Sequence, residues 1–382
     1  MSAGAGWQPP AYPYDRLAPL LAAAEALPGG VVDLSVGTPT DPPPPPVLAA
    51  LADADRGSAL RGYPPSVGTA ALRGAAAAWM TSTFGPAAAV DPDRIGACVG
   101  TKEFVVTLPG WLKLHRPGRD TVLYPAVSYP SYAMGAELAG LRAVPVPVDE
   151  QWRIDLSTIS DSDAARALAL WVNTPGNPAG GLDDLEAAAA WGRDHDVLVF
   201  SDECYAPFTW DGPPRTILGH GSGPSGTDGV VALHSLSKRS NLAGLRVGWY
   251  SGDAGVVGFL REVRKHAGLM VPGPAQAAGV AALGDSSHVA TQRRLYLARL
   301  ERARDILADG LGLSCALPAG GFYLWVEAPD GDAWALAGRL AKEAGVLVSP
   351  GEFYGEAGSR YVRLAMVAPM AKLDLLAERL GC

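Results

Sequence analysis

Between about residue 95 and residue 270, short apolar runs alternate with amphipathic stretches. Seven runs read as buried strands: Ile95–Val99, Thr121–Tyr124, Arg142–Val146, Ala167–Val172, Val197–Ser201, Val230–His234 and Arg246–Tyr250. Helical periodicity marks Thr101–His115, Tyr129–Gly140, Leu182–His195 and Ala254–Ala267. Strands spaced by helices require right-handed crossovers. The pattern therefore predicts an α/β fold with a mostly parallel seven-stranded sheet covered by helices on both faces. The link from Ser201 to Val230 is rich in Gly and Pro and reads as a surface loop.

The pattern changes after this region. Ser286 to Leu311 is a long, arginine-rich amphipathic helix. Strand candidates Gly321–Glu327, Val346–Ser349 and Tyr361–Ala365 follow, with helices Ala333–Ala344 and Ala371–Leu380, giving a smaller α+β unit. The predicted division is an N-terminal arm belonging partly to the small domain (1–47), a large domain (48–285) and a C-terminal small domain (286–382). The proline run Pro42–Pro46 reads as a stiff connector at the end of the arm. Alanine tracts such as Ala75–Ala78 favour helix and suggest no chemistry.

Composition narrows the function. A chain of 382 residues can bury large cores, and 48% apolar with 18% charged residues fits a globular protein. The net charge of −8 gives no reason to expect nucleic acid or an anionic membrane as partner. The cysteines Cys98, Cys204, Cys315 and Cys382 are scattered without metal or redox spacing, which fits a reduced cytoplasmic setting. Met1 to Pro10 lacks the features of a signal peptide, and no apolar run reaches the ~18 residues of a membrane span. The histidines show no ligand spacing, so no metal site is expected. Gly221–Gly226 spells G-x-G-x-x-G, but it precedes a strand and contains a proline, so it reads as a loop.

The chemistry concentrates in Ser235-Leu236-Ser237-Lys238, after the strand Val230–His234, with Gly244-Leu245-Arg246 beyond it. An unpaired ammonium at the inner end of a buried strand is costly. A lysine that can lose its proton forms a Schiff base with an aldehyde cofactor, while hydroxyls and an arginine hold the cofactor's phosphate. Asp202 ends another apolar strand, where open α/β sheets bind ligands. It is equally a helix cap when taken alone. Asn177, in Asn173-Thr174-Pro175-Gly176-Asn177-Pro178, is compatible with an ordinary turn as well as with a ligand amide. Gly100-Thr101-Lys102 opens a helix after a strand and is either a cap or an anion site. Tyr129 can stack on a planar ligand or simply pack, and Arg363 can grip a carboxylate or reach to solvent.

Together these motifs resemble the fold type I pyridoxal-phosphate aminotransferases of class I/II, from about Val32 to Leu380. The Ser-x-Ser-Lys…Gly-x-Arg run is preceded in the right order by Asn-Pro-x-Gly and Asp-x-x-Tyr motifs. The resemblance implies pyridoxal 5'-phosphate as cofactor, Lys238 as its Schiff-base partner and proton shuttle, and Asp202 on the pyridine nitrogen. It implies Asn177 and Tyr205 on the phenolate oxygen and Tyr129 stacked on the ring. Backbone N–H groups of Thr101 and Lys102, with Ser235, Ser237 and Arg246, would hold the phosphate. Arg363 would bind the substrate's α-carboxylate near the Gly37 backbone. Tyr63 would reach the neighbouring subunit's phosphate in a homodimer. Ala179 replaces a threonine common in the family, at a position that does not touch the cofactor.

The segments Tyr12–Leu17 and Val32–Pro42 look most like the N-succinyldiaminopimelate aminotransferases of lysine biosynthesis. That likeness implies glutamate as amino donor, N-succinyl-2-amino-6-oxopimelate as acceptor and 2-oxoglutarate as product. A second basic group must meet the distal carboxylate; Arg16, Arg61, Arg239 and Lys265 are candidates. Alternatives are an aminotransferase for aspartate, alanine or aromatic amino acids, or a β-lyase of the same fold. A regulatory sensor with this fold would carry a helix-turn-helix domain, for which the first 47 residues are too few and too proline-rich.

Overall fold

A computed structural model describes residues 8–56 and 61–382. The reading of Met1–Pro10 and the first part of the 1–47 arm therefore lie largely outside the described residues. The strands are β1 (Val32–Asp33), β2 (Ile95–Cys98), β3 (Thr121–Pro125), β4 (Arg142–Val146), β5 (Ala167–Asn173) and β6 (Leu198–Asp202). They continue with β7 (Val230–Ser235), β8 (Gly248–Gly252), β9 (Tyr323–Glu327), β10 (Val346–Leu347), β11 (Ser349–Pro350) and β12 (Tyr361–Ala365).

The large sheet has seven strands in the order β2-β8-β7-β6-β5-β3-β4. Its pairings are parallel except where β8 runs against β2 and β7. β5, β6, β7 and β8 are buried along their whole length. Such strands read as unbroken apolar runs because helices cover both faces. One apolar cluster joins Leu170, Val172, Val199 and Val230 to Trp79, Leu236 and Ala278. Another joins Leu168, Trp171, Phe200 and Val231 to Phe104, Leu108 and Tyr132. These two clusters are the layers on either side of the sheet.

A separate core gathers the chain termini. β1 pairs in parallel with β10, and β11, β12 and β9 form an antiparallel sheet. Val32 and Leu34 pack there with Leu300, Val326, Val362 and Leu373. The arm thus lends its strand to the C-terminal unit. Asp41 is tied to the helix Ser287–Leu311 by a two-pronged pair with Arg299, both contacts 2.7 Å. Among the described residues, no helix is long and apolar enough to cross a membrane.

Several expected elements are redrawn. The proline run is not a connector throughout: Pro45 and Pro46 begin a helix that runs to Arg56. Proline suits a first helical turn because the N–H it lacks has no partner there. Arg246 lies outside its expected strand, since β8 starts at Gly248 and Arg246 adopts a left-handed backbone with φ 58°. The expected strand Val346–Ser349 is divided between two partners: Val346–Leu347 pairs β1, and Ser349–Pro350 pairs β12. The helix expected over Ala333–Ala344 changes hydrogen-bond pattern after Arg339, with a wider turn over Leu340–Ala344.

Candidate active site

The central strands deliver polar side chains to one edge of the sheet. Asn173 lies opposite Asp202 in the β5–β6 ladder, and Asp202 opposite Leu233 in the β6–β7 ladder. Ser235 ends β7, and the short helix Leu236–Arg239 turns Lys238 back toward the same edge. A cavity of about 640 Å³ opens there. Its wall holds Gly37, Thr101, Lys102, Tyr129, Asn177, Asp202, Tyr205, Ser235, Ser237, Lys238, Arg246 and Arg363. Tyr63 is not on the wall; it stands in solvent, 94% exposed.

One end of the cavity is an anion cradle. Gly100 starts the helix Thr101–His115 with φ 75° and no capping side chain, and Thr101 and Lys102 of its first turn line the cavity. A β-carbon at Gly100 would run into the Arg246 guanidinium. Arg246 is anchored by donation to the carbonyls of Ala243 (2.9 Å) and Val99 (3.3 Å). Its left-handed backbone costs roughly 1 kcal/mol, which its anchoring tolerates. Ser235 and Ser237 bond each other at 2.9 Å between hydroxyls.

Another part of the wall is acidic. Asp202 is buried and accepts from the Tyr132 hydroxyl (2.9 Å) and the Cys204 N–H (3.2 Å). Burial pushes its carboxyl pKa up. Among the described residues no cation pairs with it, so the carboxylate suits a ligand that brings an N–H⁺. On the same wall, Lys238 donates to the Gly37 carbonyl. Burial, then the Arg363 charge, brings its ammonium down to about 8. Gly37 cannot bear a side chain, because a β-carbon would strike the Tyr323 hydroxyl.

Arg363 points inward, not to solvent. It is 2% exposed and lies between the rings of Tyr323 (4.3 Å) and Tyr354 (4.7 Å). It donates to Asn177 Oδ1 (2.9 Å) and to the Ser35 carbonyl (2.5 Å). Burial opposes its charge, but the tyrosine oxygens around it prevail and hold its pKa up. Burial likewise opposes ionisation of Tyr14, and here Arg363 and the Tyr354 hydroxyl at 2.9 Å prevail, lowering the phenol's pKa. Since Asn177 Oδ1 is occupied by Arg363, its amide N–H₂ is left for the cavity.

This arrangement matches one family. Residues 29–380 match Aminotransferase class I and II. The chain belongs to the class I and II aminotransferases. The transferase resembles 4-dedimethylamino-4-oxo-anhydrotetracycline transaminase OxyQ of Streptomyces rimosus, 41% identical over 97% of this chain and 99% of that one. It is 34% identical to LL-diaminopimelate aminotransferase of Desulforudis audaxviator, over 98% and 95% of the two chains. The solved structure of a probable N-succinyldiaminopimelate aminotransferase from Thermus thermophilus superposes with a TM-score of 0.86 at 30% identity, covering 97% and 99%.

Enzymes of this family use pyridoxal 5'-phosphate. The transferase's own donor set suits that group: on one cavity wall it gathers a helix start with Arg246 packed against Gly100, a buried carboxylate with no paired cation among the described residues, and a buried amine.

The sequence did not single out several wall residues. Tyr132 holds Asp202, Tyr14 and Tyr323 surround Arg363, and Asn173 accepts from the Asn177 N–H at 2.8 Å. Tyr132 had only its place three residues after Tyr129 as a signal, which reads as packing. The four candidates for the distal carboxylate lie elsewhere. Arg16 pairs with Glu352 (2.5 Å) and lies over Trp334 (4.6 Å). Arg239 is buried and donates to the Ala282 carbonyl (2.7 Å). Lys265 pairs with Glu262 (3.5 Å) on the surface, and Arg61 is exposed away from the wall. The outer wall instead presents Lys102. Its Nζ is 5.9 Å from the Tyr12 and Tyr129 ring centres, with no ion-pair partner among the described residues.

Proposed function

We propose that this pyridoxal-phosphate aminotransferase moves the amino group of an amino acid such as glutamate onto an oxo acid that carries a second, distal carboxylate, with N-succinyl-2-amino-6-oxopimelate as the acceptor. The observation that supports it is the pairing of two cations on one wall: Arg363 deep in the cavity and Lys102 near its mouth. The similarity to a probable N-succinyldiaminopimelate aminotransferase supports the same acceptor.

When bound, the cofactor supplies an aldehyde that condenses with amines and a ring that accepts electrons from the substrate's α-carbon. Thr101, Lys102, Ser235, Ser237 and Arg246 hold its phosphate through backbone N–H, hydroxyl and guanidinium donors. Asp202 would keep a proton on the ring nitrogen, and Tyr132 holds that carboxylate in place. Asn177 and Tyr205 would donate to the ring oxygen, and Tyr129 would pack against the ring. Arg363 binds the α-carboxylate through two parallel hydrogen bonds, which orients the α-C–H bond. Lys238, an amine at mildly alkaline pH, would take the proton from the substrate's α-carbon and hand it to the carbon that carried the cofactor's aldehyde, on the far side of the nitrogen. Lys102 meets the distal carboxylate beside the Tyr12 and Tyr129 rings, at the exposed end of the cavity. A homodimer completes the site, with the exposed Tyr63 reaching the phosphate of the partner.

A second reading has one support of its own. The cavity wall also includes Pro10, Tyr12, Val106 and Met134, an apolar and aromatic stretch that suits a bulky cyclic ketone, and the transaminase OxyQ is 41% identical. A half-reaction panel separates the two. The visible absorption of the holoprotein is followed as amino donors, and then oxo acceptors, are added singly. Turnover of the succinylated oxopimelate, with a roughly tenfold or larger KM increase in Lys102→Met but not for monocarboxylic substrates, supports the first reading. Turnover of cyclic ketones alone, unaffected by Lys102→Met, supports the second.

A further inference from the structure

Asp183 is a fully buried carboxylate outside the cavity wall. It lies at the end of the loop that carries Asn177, two residues before the helix Leu185–Asp194. Its Oδ1 accepts from the Ile154 N–H at 2.9 Å and its Oδ2 from the Asn173 N–H at 3.0 Å. Its own N–H donates to Thr174 Oγ1 at 2.9 Å. No cation pairs with it among the described residues. Burial raises its carboxyl to about 6, with the backbone donors working against that shift and Asp149 adding to it. Burying this charge is expensive, so a hydrocarbon would fill the position more cheaply unless the two N–H groups need holding.

What those donors hold is the start of a hydrogen-bond chain into the site. Asn173 ends β5. With its backbone fixed by Asp183, its side chain donates to the Asp202 carbonyl (2.8 Å) and accepts from the Asn177 N–H (2.8 Å). Asn177 Oδ1 in turn accepts from Arg363 (2.9 Å). We propose that Asp183 is a positioning residue: its buried carboxylate, acting through Asn173, sets the amide of Asn177 and through it the guanidinium of Arg363. The inference rests on the roles given to Asn177 and Arg363 under the proposed function.

The decisive variants are Asp183→Asn and Asn173→Ala. The asparagine keeps the shape, but its N–H₂ faces one of the two backbone donors, so the end of β5 relaxes. Asn177 then donates less well to the ring oxygen, and the pKa of the visible chromophore rises. Arg363 loses its alignment, so KM for amino donors rises ~3- to 10-fold with a smaller change in kcat. Asn173→Ala breaks the same chain one link later and gives both effects. In the double variant the chromophore shift does not exceed that of Asn173→Ala alone, because the two act in series. An unchanged chromophore pKa and KM in Asp183→Asn, even with a lowered Tm, makes Asp183 a purely structural group and overturns the inference. Should Asp183→Asn fail to fold, Asn173→Ala decides alone, and no shift there overturns it equally. Failure of the underlying reading looks different: wild-type protein with pyridoxal phosphate then shows no visible band, and both conclusions fall together.

Discussion

At the scale of residues, the site sets the protonation of its lysine by burial and by one neighbouring charge. Lys238 has its ammonium lowered to about 8, first by burial and then by Arg363. Only the free amine attacks an aldehyde, so uptake of pyridoxal phosphate by the apoprotein should rise about tenfold per pH unit below about 8 and level off above it. Removing Arg363 takes away a charge that disfavours the ammonium. In Arg363→Leu the lysine pKa moves up, and the midpoint of the uptake profile should move to higher pH with it. Stopped-flow measurement across pH checks both statements; an unmoved midpoint would separate the two residues. In steady state, Arg363→Leu should lower kcat/KM by roughly 100-fold for every amino donor, since all present an α-carboxylate.

At the scale of elements, the cradle depends on how β2 hands over to the helix Thr101–His115. Gly100 makes that turn at φ 75° with the Arg246 guanidinium packed where a β-carbon would sit. Gly100→Ala should weaken pyridoxal phosphate binding by at least about tenfold, through strain at a left-handed backbone and through displacement of Arg246. Titration of apoprotein by absorbance measures it, and unchanged affinity would remove the cradle from the phosphate site. The strands at this edge were legible in the sequence, because each is a short apolar run closed by turn residues. Asp202 and Ser235 could therefore be placed at or beside strand ends from the sequence, whereas Lys238, expected at the end of its strand, sits on the short helix that follows β7. The helix Gly273–Leu283 was not legible: Ala275, Gln276, Ala278, Gly279 and Ala282 are all buried, so no polar face contrasts with an apolar one. The roles of Tyr14, Tyr323 and Asp183 were not legible either. Tyr14 and Tyr323 meet Arg363 across long stretches of chain, and Asp183 meets Ile154 across 29 positions, so no local spacing announces these contacts.

At the scale of the whole molecule, both chain termini build the small core that faces the large sheet. Val32 and Leu34 sit among residues from 300 to 377, while Gly37, four positions past the β1 strand, reaches Lys238. The pair Asp41–Arg299 fastens that segment to the long helix. Its partners are little exposed, so Arg299→Ala should strand a poorly solvated carboxylate. A stability loss of about 3 kcal/mol is expected, together with weaker binding of both cofactor and substrate. The exposed Tyr63 belongs to the same scale. Tyr63→Phe should leave a dimer in sedimentation but raise the pyridoxal phosphate Kd by ~3- to 10-fold. A fully active monomer at micromolar concentration would contradict the shared site. The expectations that concern cofactor and substrate all rest on attachment of the cofactor at one amine. Borohydride reduction of the holoprotein, followed by digestion and mass spectrometry, reads that attachment directly. A phosphopyridoxyl group on the peptide containing Lys238 is the expected result; the group on another lysine, or on none, contradicts it.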